Sequence, residues 1–301
     1  MPKIKANGLE FEYESFGRDS DPAILLIMGF GAQMTLWPTA LCEGLAAKGY
    51  RVIRFDNRDI GLSTHLNRLG MPDTASAMAA MMTGGSVTPP YTLDDMAKDA
   101  ASVLDALGIT RAHIIGASMG GMIAQLVAIN HPQHTISLTS IMSTTSRRDL
   151  PQGTPEAMAA LTIPPPSDSR EDRIAAGLRI ARALGSPGFP DTEADMRANV
   201  EAAVDRAPFD PAGVARQLLA IAAASPRNEK LKGVRAPTLV LHGADDPILV
   251  LECGKDTAAS IAGSKLVVVP GMAHDVSKSL VPIYIKHIGE FLGSVGKAKA
   301  A

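Results

Sequence analysis

Residues 112–127 read Ala-His-Ile-Ile-Gly-Ala-Ser-Met-Gly-Gly-Met-Ile-Ala-Gln-Leu-Val. A strand-like run stops at a hydroxyl set among glycines, and an apolar, helix-like stretch starts at once. The strand must therefore turn into a helix with almost no loop. A turn this tight holds its central residue in a strained backbone conformation. Side chains at 116 and 120 would crowd it, and glycine has none. The pattern is G-x-S-x-G between a strand and a helix, which is the nucleophile elbow. The string alone is common; its flanks give it weight here. Such a turn lifts the Ser118 hydroxyl above the C-terminal edge of a sheet, where the partial positive charge of the helix N-terminus points at it.

The rest of the chain supplies that sheet. The run 23–28, Ala-Ile-Leu-Leu-Ile-Met, is continuously apolar and ends at Gly29, as a strand buried on both faces does. Strands are also expected at 9–16, 51–55, 112–115, 136–142, 238–241 and 265–269. Helical spacing runs over 39–48, with Gly49 at the C-cap position. It recurs over 93–107, opened by a capping box of Thr92 and Asp95 with Asp in the place of Glu. A last helix is expected at 282–292. Strands alternating with helices imply right-handed crossovers and a parallel sheet.

One block breaks the rhythm. From about 145 to 225 there is no strand signal, and Ala, Arg, Asp and Glu dominate. Helices fit 155–162, 169–184, 191–206 and 211–224, with Pro164-Pro165-Pro166 as a break. A helix-only block inside an α/β pattern is an excursion that caps the sheet's edge. The lysine-bearing tail after Gly296 is expected to fray.

Composition narrows the partners. The chain has 301 residues, 46% apolar and 20% charged, enough for one large core with an insertion. A net charge of −2 gives no reason to expect nucleic acid or an acidic membrane surface. No apolar run is long enough for a membrane span. The start, Met-Pro-Lys-Ile-Lys, carries no apolar signal core, so a cytoplasmic location is expected. Cys42 and Cys253 make neither a disulfide framework nor a C-x-x-C site.

A serine hydroxyl needs a base, and the base needs an orienting group. After an elbow, the acid and then the histidine follow in chain order. His274 alone follows the last strand in a Gly-bounded loop, Gly271-Met272-Ala273-His274-Asp275. His113 lies within a strand, and His131 and His134 flank Pro132 at a helix end. His242 ends a strand and suits the core. His65 and His287 have no supporting context. For the acid, Gly243-Ala244-Asp245-Asp246-Pro247 offers two carboxylates. The spacing favours Asp246, with Asp245 as a turn residue bonding its own backbone. Residues 142–146 carry no carboxylate that could replace it. The oxyanion formed on attack needs two backbone N–H donors. Met119, just after the serine, offers one, and Phe30 in Gly29-Phe30-Gly31 offers the other.

Together these residues resemble the α/β-hydrolase family over nearly the whole chain. That family usually carries His-Gly where this chain has Met28-Gly29. The donor there is a backbone group, so the oxyanion hole should survive. Residues 56–63, Asp-Asn-Arg-Asp-Ile-Gly-Leu-Ser, look like the family's Asp-x-Arg-Gly-x-Gly-x-Ser loop, with Asp59 in place of a glycine. A structural role is expected for it. Met28-Gly29, Trp37-Pro38, 56–61 and Pro270-Gly271-Met272-Ala273-His274 look most like the aclacinomycin methylesterase branch, whose members cleave a methyl ester of a polyketide. The resemblance implies an α/β fold with a mostly parallel, doubly wound sheet. It implies a core of 1–145 and 226–301 and a helical cap, 146–225, inserted after strand 6.

Serine at 118 argues against haloalkane dehalogenase and epoxide hydrolase chemistry, which uses aspartate there. The tyrosines that epoxide opening wants in a cap are missing: Tyr13, Tyr50, Tyr91 and Tyr284 all lie outside it. Residues 28–32, Met-Gly-Phe-Gly-Ala, do not match the His-Gly-Gly-Pro-Gly loop of proline-releasing peptidases. The expected reaction is hydrolysis of a small apolar carboxylic ester through an acyl-enzyme on Ser118, with no cofactor or metal. Lactone opening, C–C bond hydrolysis and cofactor-free perhydrolysis use the same triad and stay open, as does a ligand receptor on the same fold. Apolar cap residues such as Met158, Leu161, Leu178, Phe189 and Leu219 suit either a greasy pocket or docking onto the sheet.

Overall fold

The computed structural model describes residues 2–83 and 85–296, apart from the side chains of 78, 81 and 82. The strands are β1 (Lys3–Ala6), β2 (Leu9–Phe16), β3 (Ala23–Ile27), β4 (Arg51–Phe55), β5 (Ala112–Ala117), β6 (Thr135–Ile141), β7 (Thr238–Gly243) and β8 (Lys265–Val269). They form one sheet in the order β1-β2-β4-β3-β5-β6-β7-β8. β1 and β2 pair antiparallel with their neighbours, and from β4 to β8 all pairing is parallel.

The helices are α1 (Thr39–Ala46), α2 (Thr74–Met82), α3 (Leu93–Ala106), α4 (Met119–Asn130), α5 (Pro155–Thr162), α6 (Arg170–Leu184), α7 (Glu193–Arg206), α8 (Pro211–Ala222), α9 (Asn228–Leu231), α10 (Leu251–Ala259) and α11 (Val281–Val295). The sheet lies between two helical layers, and β3 shows why its residues are all apolar. Ile24 and Leu26 pack with Leu41 and Leu45 of α1 and with Tyr284 and Ile288 of α11. Leu25 and Ile27 pack on the other face with Met96 of α3 and Ile123 and Val127 of α4. These four of the five β3 side chains are fully buried, each contributing about 1.5–3 kcal/mol. At the start of α3, the Thr92 hydroxyl accepts from the Asp95 amide at 3.1 Å, and the Asp95 carboxylate accepts from the Thr92 amide at 2.8 Å. This is the expected capping box.

Two features set the site. The chain leaves β3 toward β4 and returns on β3's other side for β5. Such a reversal, here at the C-terminal ends of β3 and β5, is where open α/β sheets bind ligands. The second feature is the strand-free stretch between β6 and β7, which carries α5 to α8 within two residues of the expected boundaries. The elements β1, α2, α9 and α10 were not among those expected. Among the described residues, no helix is long and apolar enough to cross a membrane. The tail expected to fray after Gly296 lies outside the described residues.

Candidate active site

Ser118 sits between β5 and α4 at φ 57° and ψ −123°, a strained conformation for a residue with a side chain. The flanking glycines are required by close approach. A Cβ on Gly116 would run into the Gly120 carbonyl, and one on Gly120 would run into the Ile27 carbonyl. The neighbouring strand steadies the turn: the Ser118 amide donates to the Ile141 carbonyl at 3.0 Å. The Ser118 carbonyl accepts from the Ser143 hydroxyl at 2.8 Å.

Loops after β7 and β8 bring two more side chains to this turn. His274 Nε2 lies 2.9 Å from Ser118 Oγ, and His274 Nδ1 lies 2.8 Å from Asp246 Oδ2. A carboxylate only accepts, so Nδ1 carries the proton and Nε2 is left to accept from the serine hydroxyl. The other oxygen of Asp246 accepts from the amides of Ile248 and Leu249, each at 2.9 Å. Asp246 and His274 are buried, at 5% and 8% exposure, while Ser118 is partly open. Asp245 takes a different bond from the one expected. Its carboxylate accepts from the Gly271 amide at 2.8 Å, so it braces the histidine loop instead of closing its own turn.

The loop after β3 lies directly against the serine. A Cβ on Gly29 would stand 3.0 Å from Ser118 Cβ, a tight contact that would press on the serine. Phe30 follows it. Met119 is the first residue of α4, where the backbone N–H has no partner within the helix. Asn57 Nδ2 donates to the Met28 carbonyl at 2.9 Å and fixes the base of the β3 loop.

Residues 56–63 brace the site from below. Asp56 accepts from the amides of Met34 at 2.7 Å and Leu62 at 2.9 Å. Arg58 pairs with buried Asp99, and its guanidinium lies 4.9 Å from the centre of the Tyr91 ring. Asp59, at φ 67°, makes a two-pronged pair with Arg216 of α8 at 2.8 Å on each side. His65, which had no context in the sequence, bonds Asp210 at 2.8 Å. Asp59, His65 and Asp210 converge, and the Arg216 guanidinium already serves as the cation there. His242 bonds the Leu249 carbonyl at 2.6 Å. Burial lowers its pKa and keeps it neutral in the core. Sequence reasoning missed Gln217 and Ser186, which contact the β3 and histidine loops. Their partners are mostly backbone atoms far along the chain, which no local pattern marks.

Comparison with known proteins agrees with this architecture. The chain is 26% identical over 281 residues to a rhodomycin D methylesterase from Streptomyces peucetius, covering 87% of each protein. It is 25% identical over 269 residues to 3-oxoadipate enol-lactonase 2 from Acinetobacter baylyi, covering 88% of this chain and 87% of that one. Its structure superposes on the crystal structure of the enol-lactonase from Burkholderia xenovorans LB400 with a TM-score of 0.73. That match has 22% identity and covers 97% of this chain and 100% of the other. Residues 22–278 match the family described as the alpha/beta hydrolase fold, and the chain belongs to that family.

Proposed function

We propose that the chain is a serine hydrolase that cleaves carboxylic esters. The observation that carries this reading is the unbroken relay from Ser118 Oγ through the His274 imidazole to the Asp246 carboxylate, at 2.9 and 2.8 Å. In this reading Ser118 attacks the ester carbonyl while His274 Nε2 takes its proton. Asp246 holds the tautomer and stabilises the imidazolium. The N–H groups of Phe30 and Met119 receive the oxyanion, with the α4 N-terminus adding its dipole. His274 then returns the proton to the leaving alkoxide. Water, deprotonated by the same imidazole, attacks the acyl-enzyme and releases the acid.

The methylesterase relative supports an ester as substrate. Residues 146–225 act as a cap that lends apolar surface to the acyl group or ring. A second reading, ring opening of a lactone by the same steps, is favoured by the enol-lactonase relative. The test is a panel of p-nitrophenyl esters of increasing acyl length with a set of lactones, run on wild type and Ser118→Ala. Hydrolysis that vanishes in the variant, with fluorophosphonate labelling only in wild type, is the expected outcome. Undiminished turnover by Ser118→Ala would refute both readings.

A further inference from the structure

The helical insertion between β6 and β7 bonds directly to the two loops that the proposed reaction uses. Consider the histidine loop first. Every residue from 271 to 275 except Met272 bonds the segment 184–188. The His274 amide donates to the carbonyl of Leu184, the last residue of α6, at 3.1 Å. The Ser186 hydroxyl accepts from the Ala273 amide at 2.8 Å and donates to the carboxylate of Asp275. The Gly188 amide donates to the Gly271 carbonyl at 2.8 Å. Ser186 is 2% exposed.

The β3 loop is held in the same manner from α7 and α8. Gln217 is fully buried. Its Oε1 accepts from the Gly31 amide at 3.0 Å, and its Nε2 donates to the Arg58 carbonyl at 3.0 Å. Gly31 adjoins Phe30 and sits at φ 66°. Two residues on, Gln33 donates to the Ala203 carbonyl at 2.8 Å and accepts from Arg206 at 2.6 Å.

Apolar side chains would suffice to dock a cap. A buried amide or hydroxyl costs free energy unless both its donor and its acceptor are met. Here one bond of each side chain goes to the peptide N–H beside the base or beside an oxyanion donor, and the other goes to the Asp275 carboxylate or the Arg58 carbonyl. We propose that the insertion is a clamp on the catalytic loops, with Ser186 positioning His274 and Gln217 positioning the Phe30 N–H. The proposal rests on the serine-hydrolase reading above. It makes docking of the insertion a condition for an assembled site.

The experiment uses the full chain and measures p-nitrophenyl butyrate turnover, the rate of fluorophosphonate labelling at Ser118, and inhibition by an alkyl trifluoromethyl ketone. Ser186→Ala and Gln217→Met, folded by circular dichroism, should each lower kcat about 10- to 100-fold with KM nearly unchanged. Gln217→Met should lose trifluoromethyl ketone affinity by a matching factor, because that inhibitor places its oxyanion in the same hole. Ser186→Thr, which keeps the hydroxyl, should recover most of the lost kcat. If Ser186→Ala does not fold, Ser186→Cys takes its place with the same loss expected. Folded variants that keep wild-type kcat and labelling rate overturn the clamp, while an inactive Ser118→Ala leaves the esterase reading standing. Wild type that fails to label at Ser118 overturns both.

Discussion

Asp246 turns one carboxylate oxygen to the amides of Ile248 and Leu249 and the other, at 2.8 Å, to Nδ1 of His274. The carboxylate is thus anchored by its own turn before it meets the ring. Asp246→Asn can keep that anchor, but its amide can present an N–H to Nδ1 and favour the wrong tautomer. A loss of roughly 10³- to 10⁴-fold in kcat is expected. Asp245→Asn, which loosens only the bond to the Gly271 amide, should stay within about tenfold of wild type. Steady-state kinetics on one p-nitrophenyl ester decide the matter. A larger loss at 245 than at 246 would reassign the acid.

The elbow makes a prediction about folding. At 116 and 120 the space for a Cβ is filled by backbone carbonyls, which cannot rotate away as a side chain can. Gly116→Ala should therefore cost at least about 2 kcal/mol, placing it in the overpacking class of severe variants. Ser118→Ala should cost little by comparison. Urea unfolding of both measures the difference. A Gly116→Ala protein as stable as wild type would mean that the turn relaxes more freely than its contacts indicate.

What was legible in the sequence was whatever a few adjacent residues dictate. Thr154, Ser169 and Thr192 each cap the helix that follows, accepting from the amides of Ala157, Asp172 and Asp195. These caps start α5, α6 and α7 within two residues of where helical spacing places them. Ser118, Asp246 and His274 were readable because each sits in a short turn with its own glycine or proline signature. The segment Thr74–Met82 was not, since Thr-Ala-Ser-Ala-Met-Ala-Ala-Met-Met has no polar face to reveal a helical period. β1 is an edge strand of four residues, Lys-Ile-Lys-Ala, and its alternation is too short to stand out as a strand. Gln217, Ser186 and Arg216 escaped for a different reason. Their partners Gly31, Ala273 and Asp59 lie 186, 87 and 157 residues away along the chain, and nothing local announces them.

Asp59 is a test of that last point. The resemblance makes glycine the usual residue here, and φ 67° also suits glycine. Local reasoning therefore says that Asp59→Gly should stabilise the loop by about 1 kcal/mol. The pair with Arg216 reverses the sign. Both side chains are fully buried, and removing the carboxylate strands a guanidinium that keeps, among the described residues, only Asp210, at 3.3 Å, as a counter-charge. A net loss of about 3 kcal/mol is expected. Adding Arg216→Leu to Asp59→Gly should recover most of it. Chemical denaturation of wild type, single and double variants checks this, and a single variant more stable than wild type would show that the ion pair holds nothing.

His113 carries a pH dependence. Its ring is fully buried in β5, with Nδ1 2.7 Å from the Ser137 hydroxyl and the Tyr50 ring edge-on at 5.7 Å. Its Nε2 has no hydrogen-bond partner among the described residues. Burial, aided by the charge of Arg111, pushes its pKa down from 6.5 to about 4. The folded chain therefore refuses a proton that the unfolded chain accepts between those values. Stability from this residue is complete above pH 6.5 and falls as the pH drops toward 4, by up to about 3 kcal/mol. His113→Gln has no such proton to exclude. It should be less stable than wild type at pH 7, and the gap should narrow steadily in urea melts at pH 6, 5 and 4.5. Parallel slopes for the two proteins would mean that the imidazole titrates in the folded state as it does in water.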